Sequence, residues 1–113
     1  MKDDRVYLSH ILECVTALQT YAAEGRDAFF HDRKTQKATL RELQELAEST
    51  QRLSDGLKAA HAEVPWKDIA GFRNVLVHDY LGLTLTRVWD VVETDLPRFR
   101  AAIEKILAEL PGR

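Results

Sequence analysis

Ile69-Ala70-Gly71-Phe72-Arg73-Asn74-Val75-Leu76-Val77-His78-Asp79-Tyr80 decides between helix and strand for the whole chain. Val75 to Val77 is its best β-branched run, with Val91-Val92 next, and such runs favour strands. Both are short, and both sit inside helical spacing. Ile69, Phe72 and Leu76 recur at three and four residues and mark one buried helix face. With these runs assigned to helix, no convincing strand remains and the chain reads as all-α. At ~100° per residue the other side chains sort into stripes. Arg73, Val77 and Tyr80 form one; Asn74, His78 and Leu81 form its neighbour. Arg73 and His78 stand ~140° apart around the helix and converge poorly on one straight rod.

Working outward, the rest of the chain is helical. Tyr7, Ile11, Cys14, Val15, Leu18 and Tyr21 line a first helix from Asp4 to Ala23, stopped by Gly25. Arg26 to Lys34 is a connector of undetermined conformation. From Thr35 as cap, Leu40, Leu43, Leu46, Ala47, Thr50, Leu53 and Leu57 predict one long second helix to about His61. Val64-Pro65-Trp66 breaks that pattern and starts the third, which runs to Tyr80 with Gly82 as terminator. Thr84 or Thr86 caps a fourth helix, and Asp95-Leu96-Pro97 reads as a stop with a proline-led restart into a fifth that carries Phe99, Ile103, Ile106, Leu107 and Leu110. The expected architecture is a single domain over residues 1–113, an up-down bundle of four to five helices.

Charge is uneven along the chain. Between Ile69 and Val92 only Arg73, Asp79, Arg87 and Asp90 are charged, four of 24 residues, against 30 in the other 89. Helices with so little charge are apolar on more than one side, which predicts burial against a second chain. A twofold homodimer satisfies this most simply. The net charge of −2 excludes general coating of nucleic acid and leaves only local basic patches. Arg33, Lys34, Lys37 and Arg41 are the best such patch.

Cys14 is the one cysteine, so no internal disulfide forms, and its place in an apolar stripe predicts a buried side chain. Met1-Lys2-Asp3-Asp4 lacks the apolar core of a signal peptide, and no segment approaches the ~20 apolar residues of a membrane span. A cytoplasmic protein without membrane contact is expected. His10, His31 and His61 show no metal-ligand spacing with one another, so neither a metal nor a cofactor is expected. Trp66 and Trp89 read as core residues. Gly71, costly inside a helix, predicts the close approach of another helix at that point, in the bundle or at the twofold.

An arginine and a histidine near one another can cleave RNA. Imidazole, with an ordinary pKa near ~6.5, can take the 2′-hydroxyl proton or protonate the leaving 5′-oxygen. Guanidinium offers a planar charged fork to the phosphate oxygens. From the spacing alone, an arginine in a surface ion pair and a histidine satisfied in the core is the more common arrangement.

The segment from Pro65-Trp66-Lys67-Asp68 to Val77-His78-Asp79-Tyr80 closely resembles the signature of the HepT-like toxins of the HEPN superfamily. The resemblance includes their pattern of Arg, four residues, His, one residue, Tyr, and continues through Trp89-Asp90-Val91-Val92 and Asp95-Leu96-Pro97. It implies a HEPN-like homodimer acting as a metal-independent endoribonuclease, the toxin of a type VII toxin-antitoxin pair, with tRNA among the substrates. Arg73 and His78 would be catalytic in a cleft between protomers, with Asn74 supporting them. The implied partner is an MntA-type nucleotidyltransferase that transfers AMP from ATP to Tyr80 and so silences the toxin. The alternative is a non-catalytic subunit whose dimer docks a nucleotidyltransferase or a nucleotide.

Overall fold

The computed structural model describes residues 3–78 and 82–111, and the regular elements among them are all helical. In order they are α1 (Asp4–Ala22), α2 (Arg26–His31), α3 (Arg33–Gln51), α4 (Asp55–Ala60), α5 (Trp66–His78) and α6 (Leu85–Asp90). A π-helical turn over Val91–Asp95 then leads into α7 (Leu96–Glu109). The bundle is built from α1, α3, α5 and the continuous rod of α6 and α7. The all-α expectation holds, and no described helix is long and apolar enough to cross a membrane.

The first helix follows its stripe. Leu8, Ile11, Cys14, Val15 and Leu18 are buried, and Asp3 caps the start by accepting from the Arg5 amide at 2.9 Å. Gly25, with φ of 101°, takes the left-handed backbone that ends the segment and that other residues rarely adopt. The connector after it is helical. Phe29 of α2 is 3% exposed, its ring meeting Phe30 edge-on at 5.3 Å and Trp89 at 5.4 Å between centroids.

The second predicted helix is two helices. Its cap is Asp32, one turn before Thr35, accepting from the Lys34 amide at 3.1 Å and the Thr35 hydroxyl at 2.6 Å. The Thr35 bond, with the Lys34 amide behind it, holds the Asp32 carboxyl below its ordinary range. α3 ends at Gln51, and Ser54 starts α4 by accepting from the Leu57 amide at 3.2 Å. The Ser54 amide and hydroxyl donate to the Asp4 carboxylate at 2.8 and 2.6 Å. That contact fastens the break to the start of α1.

The predicted stop at Asp95-Leu96-Pro97 is also corrected, because the backbone stays helical through it. Asp95 has φ −82° and ψ −35°, and the Leu96 amide donates to the Val91 carbonyl, five residues back. Pro97 has no amide hydrogen to give to the carbonyl four residues before it, and the ladder widens just ahead of it instead of breaking. Thr84 caps α6 as expected, its hydroxyl accepting from the Arg87 amide at 3.1 Å.

The core runs between α1, α3 and the rod, where Leu8, Ile11, Val15, Leu18, Val88, Ile103 and Ile106 are all but sealed from water. Both tryptophans join it. The Trp66 indole donates to the Lys58 and His61 carbonyls at 3.1 and 3.0 Å, tying α4 to the start of α5, and Trp89 is 5% exposed. Cys14 is 2% exposed. Burial first, then the carboxylates of Glu42, Glu45 and Glu13, push its thiol up to about 12.

α5 packs chiefly on α3 through Leu76, with Ile69 and Phe72 beside it. Between α5 and α7 an open groove of about 930 Å³ remains, floored by Leu43, Leu46 and Ala47 of α3 and walled by Phe72, Val75, Leu83, Val91 and Phe99. Val75 is 36% exposed on its rim. Its lining also includes Glu63, Lys67, Asp68, Arg87, Asp95 and Arg98, so the groove is apolar on its floor and mixed around it.

Candidate functional site

The stripes of α5 fall where the spacing puts them. Leu76 faces the core; Lys67, Gly71, Asn74, Val75 and His78 are exposed. Arg73 lies between these faces with its side chain 27% exposed. Its Nη2 stands 3.6 Å from Oε2 of Glu48 on α3, and its Nη1 donates to Oδ1 of Asn74 at 3.3 Å. Glu48 is held in turn by the Gln44 side-chain amide at 3.3 Å. The guanidinium is therefore oriented from two sides, and its Nε is buried with no hydrogen-bond partner among the described residues. A buried donor left unpaired costs about 1–3 kcal/mol.

His78 is exposed, five residues and ~7.5 Å of helix rise beyond Arg73. Asn74, one turn before the imidazole on its stripe, accepts from Arg73. The structure thus brings together Arg73, Asn74 and Glu48, and leaves His78 on the neighbouring face of the same helix. Glu48 escapes a reading of the sequence because its role depends on α3 lying against α5. Tyr80 lies outside the described residues, as does the expected helix end there.

The basic cluster opens α3, with Arg33, Lys34, Lys37 and Arg41 all exposed. Lys37 and Arg41 share a stripe with Glu48, but Lys37 sits ~16 Å from it along the axis. Arg41 is engaged, its Nε donating to Oε2 of Glu45 at 2.9 Å. The cluster and Arg73 are separate features of one helix pair.

Gly71 does not meet a neighbouring helix in this chain. A Cβ built on it finds nothing within 4 Å, so the close approach predicted from its cost is absent within the protomer.

Comparison with known proteins places this arrangement. The family described as "Ribonuclease HepT-like" matches residues 11–106. A Methanocaldococcus jannaschii protein named "Gamma-glutamylcyclotransferase and putative RNase MJ0434" is 33% identical over 96% of this chain, which spans only 50% of that relative's length. "Putative RNase MJ0127" of the same organism is 33% identical over 98% of this chain and 93% of its own. "Probable ribonuclease HepT" of Thermococcus cleftensis is 31% identical over 88% of this chain and 92% of its own. No solved structure gave a significant match. A family match that takes in α5 whole, with the bundle around it, shows that this chain belongs to the HepT-like ribonuclease family.

Proposed function

We propose that the chain is an endoribonuclease that cleaves RNA without a catalytic metal, working as a homodimer whose two copies of α5 face one another. The observation that carries this reading is Arg73, a part-exposed guanidinium held by Glu48 and Asn74, in a chain of the HepT-like ribonuclease family. It would bind the scissile phosphate and stabilise the charge that grows on its oxygens. His78 would take the 2′-hydroxyl proton as that oxygen attacks phosphorus; the bond to the 5′-oxygen breaks, and that oxygen leaves as it takes a proton from the imidazolium or from water. The products are a 2′,3′-cyclic phosphate and a free 5′-hydroxyl. A requirement for the 2′-hydroxyl restricts the reaction to RNA.

Convergence is the reason for the dimer. Arg73 and His78 stand ~140° apart on a straight helix, and a twofold laid along the exposed face of α5 would set Arg73 of one protomer against His78 of the other. The groove beside α5, with its floor of Leu43, Leu46 and Ala47, and the open space above Gly71 both favour a partner on this side. Gly71→Ala separates the two roles of that glycine. In dilute protein it should stabilise the protomer by about 0.5–1 kcal/mol through helix propensity, seen as a higher melting temperature. Light scattering over a concentration series should show weaker self-association.

RNA outside the cleft would be tracked by Arg33, Lys34 and Lys37, with Arg41 contributing less because Glu45 holds it. The pair would form the toxin of a toxin-antitoxin system, silenced when an MntA-type nucleotidyltransferase transfers AMP to Tyr80, two residues beyond His78. Phosphate and adenine at that position would block RNA by charge and bulk.

The reading is tested by incubating purified chain with tRNA in excess chelator. Cleavage to cyclic-phosphate ends that disappears in His78→Ala supports it; a dimer that binds the nucleotidyltransferase but cuts nothing would support the non-catalytic alternative. Intact mass after co-expression with the nucleotidyltransferase should rise in steps of one AMP, and not at all in Tyr80→Phe.

A further inference from the structure

On the side of α3 that faces α1, three side chains with metal-ligating atoms meet. His10 and Cys14 are one turn apart on α1 and Glu45 reaches them from α3, their ligand atoms all within 4.8 Å of one another. His10 Nε2 is 3.8 Å from Cys14 Sγ and 3.7 Å from Glu45 Oε1. A tetrahedral zinc ion with bonds of ~2.0–2.3 Å sets its ligand atoms ~3.3–3.7 Å apart. The three atoms need to draw in only by tenths of an ångström for at least two of those edges. The lack of His–His spacing, from which no metal was expected, does not bear on a set of one histidine, one thiol and one carboxylate.

The surroundings are built as the outer shell of such a site is built. His10 Nδ1 is 2.6 Å from the Ser49 hydroxyl, which fixes the ring and turns Nε2 toward Cys14 and Glu45. Glu45 Oε2 is taken by the Arg41 guanidinium at 2.9 Å, which leaves Oε1 for the centre. Both inner residues are thus oriented by a second partner, as metal-ligating imidazoles and carboxylates regularly are. Cys14 is buried, but His10 lines an open surface groove with Glu13 and Ser49, a path of entry for an ion. The carboxylates around the thiol that discourage a lone thiolate attract a dication, which reverses the local field when it binds and releases the thiol proton.

We propose that His10, Cys14 and Glu45 bind a thiophilic divalent cation of the zinc type, clamping α1 to α3, with a water or an external ligand in the fourth position. The site is built from α1 and α3 and contains none of Arg73, Asn74, Glu48 or His78, so it stands or falls apart from the ribonuclease reading. Titrating cobalt(II) into the full, metal-free chain tests it. One equivalent per chain should bind with a thiolate-to-cobalt charge-transfer band in the near ultraviolet, displaced by zinc(II). Cys14→Ser should abolish the band. Ser49→Ala, which touches only the outer shell, should weaken affinity ~10–100-fold while keeping the band. Glu45→Gln, at a partly exposed position, should leave the helical circular dichroism unchanged and weaken binding at least ~10-fold. Lack of the charge-transfer band in the wild-type chain, or cobalt affinity unchanged in Glu45→Gln and Ser49→Ala, would overturn the proposal.

Discussion

His78→Ala is expected to lower the rate of RNA cleavage by about 10²–10⁴-fold, the usual worth of a positioned proton-transfer group. Arg73→Ala should cost about 10²–10³-fold, the usual worth of a donor aimed at developing oxyanion charge. Both losses should come without loss of fold. His78 is exposed, and surface truncations of that kind stay within about 0.5 kcal/mol. Arg73 gives up a 3.6 Å ion pair that is partly open to water, worth less than about 1 kcal/mol, and Glu48 retains its Gln44 donor. Arg73→Lys separates charge from shape: it keeps the positive end but loses the fork that Glu48 and Asn74 orient, and should recover only part of the rate. Initial rates on a tRNA substrate beside thermal melts check all three. A melting temperature that collapses in His78→Ala would show that the residue serves packing.

Ile103→Ala is the converse case, expected to act on stability. Ile103 has no exposed surface and lies on α7, which packs against α1. Truncating a buried isoleucine removes transfer free energy and leaves a cavity, together about 2–5 kcal/mol. Against a total stability of about 5–15 kcal/mol, that is a large share, and the melting temperature should fall by about 10 °C or more. Cleavage at a temperature where the variant is still folded should stay within a fewfold of wild type, because Ile103 lies on a helix other than the one that carries Arg73 and His78. Chemical denaturation with an unchanged slope, beside rates at low temperature, checks both halves.

How far the sequence could be read depended on how local each decision was. The face of α5 was legible because Ile69, Phe72 and Leu76 decide it by period alone, and the placing of Arg73, Asn74 and His78 around the helix follows from the same period. The break between α3 and α4 was not. Leu53 and Leu57 are 3% and 8% exposed and continue the stripe of α3 across the gap, so periodicity runs smoothly over a joint made by Ser54 and Asp4, 50 residues apart. Pro97 was ambiguous for a different reason. A proline suits a first turn and also a widened ladder, and the burial of Val92 and Leu96 selects the second by keeping the rod continuous along α1. The site divides in the same way. Residues on one helix could be named in advance, but Glu48 beside Arg73 and Glu45 beside His10 and Cys14 depend on how α3 lies against its two neighbours.

In the proposed dimer, cleavage would need Arg73 of one protomer and His78 of the other. Mixing Arg73→Ala and His78→Ala chains after mild dissociation tests it most directly, since each variant alone is inactive and a mixed dimer carries one intact pair. Half the dimers would then be mixed, each with one of its two sites restored, so activity should return to about a quarter of wild type. A mixture as inactive as its parts, in which mixed dimers are shown to have formed, would rule out a site shared between protomers and require the pair to converge within a single chain.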